Sequence, residues 1–374
     1  MKLPQNAQQP EPAAGNADLT PAVALLIEGA EPFDLKTSAR TVAMAELRRL
    51  LGAWRRHEPG ARLGEDPEEL HQLRVTARRI DAVLGLFKRQ LPIALVRARK
   101  PTKAVLRSLG AARDLDVQLS ELADYCAHLP QEERAAGEPL RALLASERTR
   151  ARARMVRGLD SEATRRWLET LAHATGADPG EANGADPALI VMPERVRRRF
   201  RKLRKSVRRL RPKSSMEEYH LVRRRAKQLR YATECGADVF GKPADEMLRA
   251  LRRLQDKLGA HQDACMAQGR LAAIAANPAS GLPPTTLFLM GRLAEHYASV
   301  SGDTRRTLVR SWRKVRGKRW KTLRARLTEL SDSAEAANGA LTVIEAHGST
   351  PPPAQAETTF AQPPPGTEPR ALKH

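Results

Sequence analysis

The fold of this protein is decided by a stretch of sequence that reads HQLRVTARRI over residues 71–80. A related stretch, HLVRRRAKQL, occupies residues 220–229, so the two lie 149 residues apart. When the sequence is compared with itself at that offset, the histidine, the arginine three residues later and the alanine three residues after that all coincide. Such matches at one fixed offset indicate two copies of a structural unit.

A second motif follows each of these stretches at the same offset. Residues 109–116 read LGAARDLD and residues 258–263 read LGAHQD, so that a leucine, a glycine, an alanine and an aspartate correspond. The start of the preceding helix repeats as well, because Asp66 and Ser215 are both N-cap residues with a glutamate three positions later. The clustering of these matches predicts that the chain consists of two copies of one helical unit.

Apolar residues recur at helical spacing through the middle of the chain, and no comparable stretch alternates with a period of two. Glycine and proline fall mainly between these segments. We therefore predict an all-α fold with a first helical bundle over residues 37–175, a linker over 176–193 and a second bundle over 194–330. Residues 1–36 and the proline-rich residues 331–374 are predicted to be disordered tails.

The charge of the chain points to an anionic partner. It contains 50 arginines and 15 lysines against 43 acidic residues, which gives a formal net charge of +22. Each tail has a net charge of −3, so residues 37–330 carry +28. Such a charge favours a polyanion. Aromatic residues make up only 4% of the chain, too few for many base-stacking platforms, and no apolar stretch is long enough to span a bilayer.

The cysteines give information only about the cellular compartment. Cys126, Cys235 and Cys265 are odd in number, widely spaced and form no C-x-x-C motif. The first residues of the chain also lack the apolar core of a secretory signal. We therefore expect a cytoplasmic protein with reduced thiols and without a membrane partner.

The repeated helix separates apolar from basic residues. On a helical wheel His71, Arg74 and Arg78 fall within an arc of about 60°, while Leu73 and Ile80 lie on the opposite side. Charged faces of amphipathic helices are usually only solvated. Here, however, the face is nearly all of one sign, at a spacing where like charges destabilise a helix. The same face recurs in the second copy, which favours a surface for anions. Its residues there are His220, Arg223, Lys227 and Arg230.

These paired motifs resemble the signatures of the CHAD family, the conserved histidine α-helical domain. The resemblance covers about residues 37–330. It implies two pseudo-symmetric helical bundles whose basic helices meet at a shared central basic surface or channel. It also implies binding of inorganic polyphosphate, association with polyphosphate granules and contact with granule-associated proteins. The residues that it assigns to polyphosphate are His71, Arg74, Arg78, Arg79, His220, Arg223, Arg224, Lys227 and Arg230. On the following helix of each unit we predict further contacts at Lys100, Lys103, Arg107, Arg113, Arg249 and Arg252.

The sequence departs from the family pattern at three positions. Asp81 stands where a basic residue is common, and Gln228 and Gln262 stand where a charged residue is usual. The E-x-E-x-K signature of the CYTH triphosphatase domain, which often accompanies this family, does not occur in the chain. We therefore predict a non-enzymatic binding protein with no catalytic residues.

Other functions fit parts of the sequence. A phosphotransferase or polyphosphatase that uses His71 or His220 would need carboxylates for Mg²⁺, for which Asp114 and Asp263 are candidates. An aspartate at that position can equally cap a helix or orient an arginine. Nonspecific nucleic-acid binding could use the basic run over residues 195–211, although its apolar residues recur at core spacing. The nine histidines include no pair three or four residues apart, so no metal site or cofactor is predicted.

A last basic segment, residues 312–320, reads WRKVRGKRW. Its two tryptophans are predicted to be core residues, because large aromatic side chains are mostly buried. Its basic residues could line the far end of the same cationic surface.

Overall fold

The computed structural model describes residues 37–176, 186–211 and 213–347, and within them the chain forms twelve α-helices and no β-strand. The all-α prediction is therefore confirmed. The predicted tail over residues 1–36 lies outside the described residues. The helices are α1 (Ala39–Leu63), α2 (Pro67–Leu86), α3 (Ile93–Ala127), α4 (Gln131–Arg134), α5 (Glu138–Asp160), α6 (Glu162–Gly176), α7 (Ala188–Arg209), α8 (Met216–Glu234), α9 (Ala237–Phe240), α10 (Lys242–Ala275), α11 (Pro284–Arg316) and α12 (Lys318–His347).

The two motif helices, α2 and α8, begin at the predicted N-caps. Asp66 Oδ1 accepts a hydrogen bond from the backbone N–H of Glu68 at 2.8 Å. Ser215 and Glu218 form a full capping box, in which Ser215 Oγ accepts from the Glu218 N–H at 3.4 Å and the Ser215 N–H donates to Glu218 Oε2 at 3.0 Å. A cap of this kind stabilises a helix by about 1 kcal/mol and fixes where it starts.

The helices pack into two bundles around aromatic cores. Helices α1, α2, α3, α5 and α6 contact one another, and α7, α8, α10, α11 and α12 form the second group. In the first bundle Trp54 packs edge-to-face on Trp167, with ring centroids 5.1 Å apart. In the second bundle Phe200 stacks on Trp320 at 3.6 Å and lies beside the buried Trp312. The core placement predicted for the last two tryptophans is confirmed for Trp312, whereas Trp320 packs against the core and is only partly buried.

The two bundles are related by the predicted offset. Helices α7, α8 and α10 each begin 149 residues after α1, α2 and α3. The backbone N–H of Ala39 donates to the carbonyl of Asp186 at 3.0 Å, and the N–H of Ala188 donates to the carbonyl of Thr37 at 2.8 Å. The residues in these two bonds occupy equivalent positions in the repeat. Such reciprocal contacts are those expected of two units related by an approximate two-fold axis.

Two predicted boundaries are wrong. The linker predicted over residues 176–193 includes Gly176, which ends α6, and the first turns of α7, where Val191 and Met192 are buried. The tail predicted from residue 331 begins inside α12, which continues to His347 and buries Ala334. Glycine, proline and acidic residues dominated the composition of these segments and outweighed the apolar residues Val191, Met192 and Ala334, which are buried. Residues 177–185 and 348–374 lie outside the described residues.

The course of α12 can be tested with a pair of matched substitutions. Ala334→Asp places a carboxylate at a buried position, whereas Ala336→Asp places the same group at an exposed one two residues further on. We expect Ala334→Asp to lower the free energy of unfolding by about 3 kcal/mol and Ala336→Asp to change it by about 0.5 kcal/mol or less, measured by urea unfolding. Equal, negligible effects would support the disordered tail instead.

Candidate functional site

The two motif helices meet in the centre of the molecule, where α2 packs against α8. This contact brings Arg78 of the first bundle close to Arg223 and Lys227 of the second. The charge of Arg78 contributes to lowering the pKa values of both residues. The charge of Arg74 also contributes to lowering the pKa of Lys227. The side chains of all four are partly buried. The basic faces of the two halves therefore form one surface, which we call the central cationic site: Arg74, Arg78, Arg223 and Lys227.

The carboxylates of Asp114 and Asp263 lie close enough to the central cationic site for their charges to act on its arginines. The pKa of Lys227 falls to about 6, first because burial disfavours the ammonium and then because the charges of Arg78 and Arg223 repel it. Burial also lowers the pKa values of Arg78 and Arg223. An anion placed beside these groups would reverse the effect on Lys227, since an opposite charge favours the protonated amine.

In each half the guanidinium of the motif arginine lies against the glycine of the leucine-glycine-alanine motif. Arg74 Nη1 donates to Asp114 Oδ1 at 3.1 Å and lies across Gly110, where a Cβ atom would come within 3.3 Å of Nη2. In the second half a Cβ on Gly259 would lie 3.4 Å from Arg223 Nη2. The glycine gives the guanidinium room to lie against the helix. The aspartate one turn later orients it, which is the structural role left open for Asp114 by the sequence.

The arginines of the site keep unused hydrogen-bond donors. Within the described residues, the Nε–H groups of Arg74 and Arg223 are buried and have no hydrogen-bond partner, and these two arginines occupy equivalent positions in the repeat. Elsewhere in the described part of the chain, buried Nε–H groups of Arg40, Arg195 and Arg305 also lack a hydrogen-bond partner. Buried donors without partners are uncommon in folded proteins and are found where a ligand or strain accounts for them.

The two motif histidines have different surroundings. The pKa of His71 is lowered, chiefly by burial and further by the charges of Arg113 and Arg78, so this imidazole is neutral at pH 7. His220 is exposed, and its Nδ1 lies 2.9 Å from Gln262 Oε1. An amide oxygen can only accept, so Nδ1 of His220 donates. A neutral His220 then presents Nε2 as an acceptor and can donate to an anion only when it is protonated.

Gln262 is a site residue that the sequence analysis treated only as a departure from the family pattern. Its Oε1 accepts from both His220 Nδ1 and Arg223 Nη1, the latter at 3.2 Å. The equivalent residue in the first half is Arg113, whose charge acts on His71. The two halves thus hold their motif residues by different means, through a neutral amide in one and a further cation in the other.

The predicted residues on α3 and α10 extend the central cationic site along those helices. Each set follows a spacing of three and four residues that ends in the glycine and aspartate of the motif, so that it shares one helix face with them. All of them are exposed. At the position equivalent to Arg107, however, α10 carries Asp256. Burial raises the pKa of this carboxyl, and the charges of Arg230 and Arg252 counteract part of that effect. The residues on this face are Lys100, Lys103, Arg107, Arg249 and Arg252.

Other predicted site residues lie at the edge of this group. Arg224 is exposed on α8. Arg230 forms an ion pair with Glu234, with 3.4 Å between Nε and Oε1. Its charge also contributes to lowering the pKa of Lys227. Arg79 belongs to α2 and lies near the C-terminal end of α8, where burial raises the pKa of the Cys235 thiol and the charge of Arg79 partly opposes that rise.

A second basic cluster lies between α3 and α7, and the sequence did not reveal it. The pKa of Arg199 is lowered by burial and by the charges of Arg99, Arg195 and Arg198. Asp81, which replaces a common basic residue, accepts from Arg99 Nε at 2.8 Å. The basic run of α7 is otherwise the bundle helix that its apolar spacing predicted, since its buried residues are Val196, Phe200 and Leu203.

Asp116 in the second motif of the first half has a structural partner. Its buried carboxylate accepts from Arg148 Nε at 2.6 Å, and this ion pair joins α3 to α5. It has no counterpart in the second half, where Cys265 occupies the equivalent position. In the part of the chain that the structure describes, no three His, Cys, Asp or Glu side chains cluster closely enough to hold a metal ion. No helix in that part is long and apolar enough to cross a membrane.

The fold and the site together define an all-helical domain whose two halves share a cationic surface. The model of the CHAD domain matches residues 45–272, which is more than half of the chain, and the protein belongs to this family. PptA from Streptomyces chartreusis has a similar structure, with a TM-score of 0.59 and 20% identity over 74% of this chain and 100% of its own. The CHAD domain from the plant Ricinus communis is also similar, with a TM-score of 0.55 and 23% identity over 80% of this chain and 94% of its own. No curated protein matches the sequence significantly.

The ion pair of Asp116 with Arg148 gives a stability prediction. Arg148→Ala leaves a buried carboxylate without its partner, whereas Arg150→Ala removes an exposed arginine from the same helix. We expect the first substitution to lower the free energy of unfolding by about 3 kcal/mol and the second by about 0.5 kcal/mol or less, as measured by chemical denaturation. A similar, small loss in both variants would show that the pair contributes little.

Proposed function

We propose that this protein binds inorganic polyphosphate without altering it chemically. The observation that carries this proposal is the convergence of Arg74, Arg78, Arg223 and Lys227 from the two halves into one partly buried group. Within the described residues, Asp114 is the only carboxylate in an ion pair with any of the four. A surface of this kind is costly for the free protein and becomes favourable when an anion covers it.

Inorganic polyphosphate has the chemistry that suits this site. It is a flexible chain of phosphates without bases, so it needs closely spaced cations and N–H donors and no stacking platforms. An arginine guanidinium can form two parallel hydrogen bonds to one phosphate. The cations on the exposed faces of α3 and α10 extend the path beyond the central cationic site, so that many weak contacts add up along one chain. Counterion release would make the affinity fall steeply with salt.

The arrangement of the carboxylates favours binding over phosphoryl transfer. Asp114, one candidate for holding Mg²⁺, is engaged with Arg74 at 3.1 Å. Asp263, the other candidate, lies close to the charged groups of Arg223 and Lys227. The motif histidines are accounted for by hydrogen bonding or by burial among arginines. We infer that the protein associates with cytoplasmic polyphosphate granules and with proteins there, since its surface offers a means of attachment to the polymer. Nucleic acid would compete only nonspecifically, through the same charges.

The proposal is tested by removing the seated arginine of each half. The double substitution Arg74→Ala with Arg223→Ala should weaken binding of long-chain polyphosphate by about a hundredfold or more, because each loses a bidentate charge-assisted contact. The matched control, Arg150→Ala with Arg154→Ala, removes the same charge from exposed positions on α5 and should change the affinity by about threefold or less. Affinity is measured by calorimetric titration at about 0.15 M salt.

A DNA duplex of unrelated sequence serves as competitor in the same titration. The duplex should fail to displace polyphosphate from the unmodified protein. Equal losses in the two double variants, together with effective competition by DNA, would mean that bulk charge rather than a site does the binding, and the proposal would be abandoned.

The lowered pKa of Lys227 predicts that binding takes up protons. The free amine is neutral above a pH of about 6, and a bound phosphate raises its pKa, so the complex holds one more proton than the free protein. Affinity should therefore rise as the pH falls towards 6, with no further gain from this group below its free pKa. Calorimetry in two buffers of different ionisation enthalpy should show uptake of up to about one proton by Lys227 at pH 8.

The Lys227→Gln variant isolates this proton from those of the terminal phosphates and of His71. It should bind with less proton uptake than the unmodified protein at pH 8. Identical uptake in both proteins would show that Lys227 does not contact the polyanion.

A further inference from the structure

A cationic concavity lies in the second bundle and shares Asp256 with the face of α10 that carries Arg249 and Arg252. It is a cleft of about 310 Å³ between α10 and the junction of α11 with α12. Its polar lining consists of Arg253, Asp256, Lys257, Ser311, Lys314 and Arg319. Lys314 and Arg319 belong to the basic segment 312–320, whose charged residues the central cationic site does not use.

The cations of this cleft lack carboxylate partners. Among the described residues, none of Arg253, Lys257, Lys314 and Arg319 forms an ion pair. Lys257 Nζ donates instead to Thr307 Oγ1 at 3.3 Å, and Arg319 Nη1 donates to the backbone carbonyl of Lys314. Asp256 is the single acidic residue of the lining, so positive charge prevails in the cleft.

The cleft lies where α11 ends and α12 begins, so the negative end of one helix dipole and the positive end of the other meet there. The first turn of α12 contains Lys318, Arg319 and Lys321 and no acidic residue. The N-terminal end of a helix is the positive end of its dipole, where cations are unfavourable and anions are stabilised. Free backbone N–H groups at that end are also donors for an anion. The sequence thus places three cations where a helix of 30 residues disfavours them, beside a concavity lined by further cations.

Two cations that line the cleft on α10 have no basic counterpart in the first half. At the positions equivalent to Arg253 and Lys257, α3 carries Ala104 and Ser108. Ser108 lies against Gly158 of α5, where a Cβ atom would come within 2.7 Å of its hydroxyl oxygen, so the two helices are closely packed there. The repeated motifs therefore do not account for the cleft.

We propose that this cleft is a second anion site, which binds a short run of phosphate groups, either free, as in pyrophosphate, or at the end of a longer chain. The four cations would surround the phosphate oxygens, with Ser311 as an additional hydroxyl donor. A compact anion suits the cleft because its lining is concave and its cations come from three helices. The proposal goes beyond the polyphosphate function of the central cationic site and does not depend on it.

Calorimetric titration of the full chain with sodium pyrophosphate at about 0.15 M salt tests the proposal. Lys257→Gln with Arg319→Gln should weaken pyrophosphate binding about tenfold or more and leave long-chain polyphosphate at the central cationic site within about threefold. Pyrophosphate also fits the arginines of the central cationic site, so Arg74→Ala with Arg223→Ala removes that contribution and should leave pyrophosphate binding at the cleft unchanged. The matched control is Arg150→Gln with Arg154→Gln, which should change neither ligand's affinity.

The proposal is overturned if the cleft variant, Lys257→Gln with Arg319→Gln, leaves pyrophosphate affinity unchanged. It is also overturned if Arg74→Ala with Arg223→Ala abolishes pyrophosphate binding. Neither result bears on the binding of long-chain polyphosphate. Should the cleft variant fail to fold, judged by circular dichroism, Arg253→Gln with Lys314→Gln removes two exposed cations of the same lining and carries the same expectation. Titration in the presence of saturating long-chain polyphosphate then separates the two sources of phosphate. Displacement of pyrophosphate assigns the cleft to chain ends, and simultaneous binding assigns it to the free anion.

Discussion

The contact between the equivalent helices α2 and α8 joins the two halves and holds like charges together. The packing of both bundles has to compensate for the repulsion between these charges. Arg78 from one half faces Arg223 and Lys227 from the other, and the repulsion contributes to the low pKa of Lys227. The reciprocal backbone bonds at Ala39 and Ala188 add a fixed register between the halves. An anion bound at the central cationic site, as the proposed function requires, would offset the repulsion.

Much of this architecture follows from the sequence. The offset of the two motifs predicted the equivalent positions of α2 and α8, and the polar residues Asp66 and Ser215 marked where both helices begin. These features are local or repeated, so one chain contains enough information to find them. The boundaries at residues 193 and 331 failed because composition averages over short apolar runs, and burial of a residue such as Ala334 depends on a distant partner helix.

The sequence predicted which arginines lie together on the motif helices, but not the residues that hold them in place. The spacing within each motif helix placed these arginines on one face, and it contained no information about their contacts with other helices. The use of Gly110 as a seat for Arg74 and the bridging role of Gln262 require the register between two helices. The pairing of Asp116 with Arg148 likewise crosses from α3 to α5. Contacts of this kind join residues far apart in sequence, and no local pattern encodes them.

The two halves have diverged around a common centre. Gln262 stands for Arg113, Asp256 for Arg107, and Lys257 for Ser108. The first half keeps additional cations on the face that carries the motif glycine and aspartate. The second half redistributes its charge towards the cleft near α12. The repeat thus retains the motif arginines in both halves, while the residues around them differ.

The central claim is that both halves contribute to one shared site rather than to two separate ones. Its most direct test is the binding stoichiometry of a polyphosphate of single defined length, measured for the unmodified protein and for Arg74→Ala and Arg223→Ala separately. With the second anion site removed in each protein by Lys257→Gln and Arg319→Gln, a shared central site predicts one chain per protein molecule in all three cases, with affinity reduced in both variants. Two chains per molecule, falling to one of unchanged affinity in either variant, would contradict it.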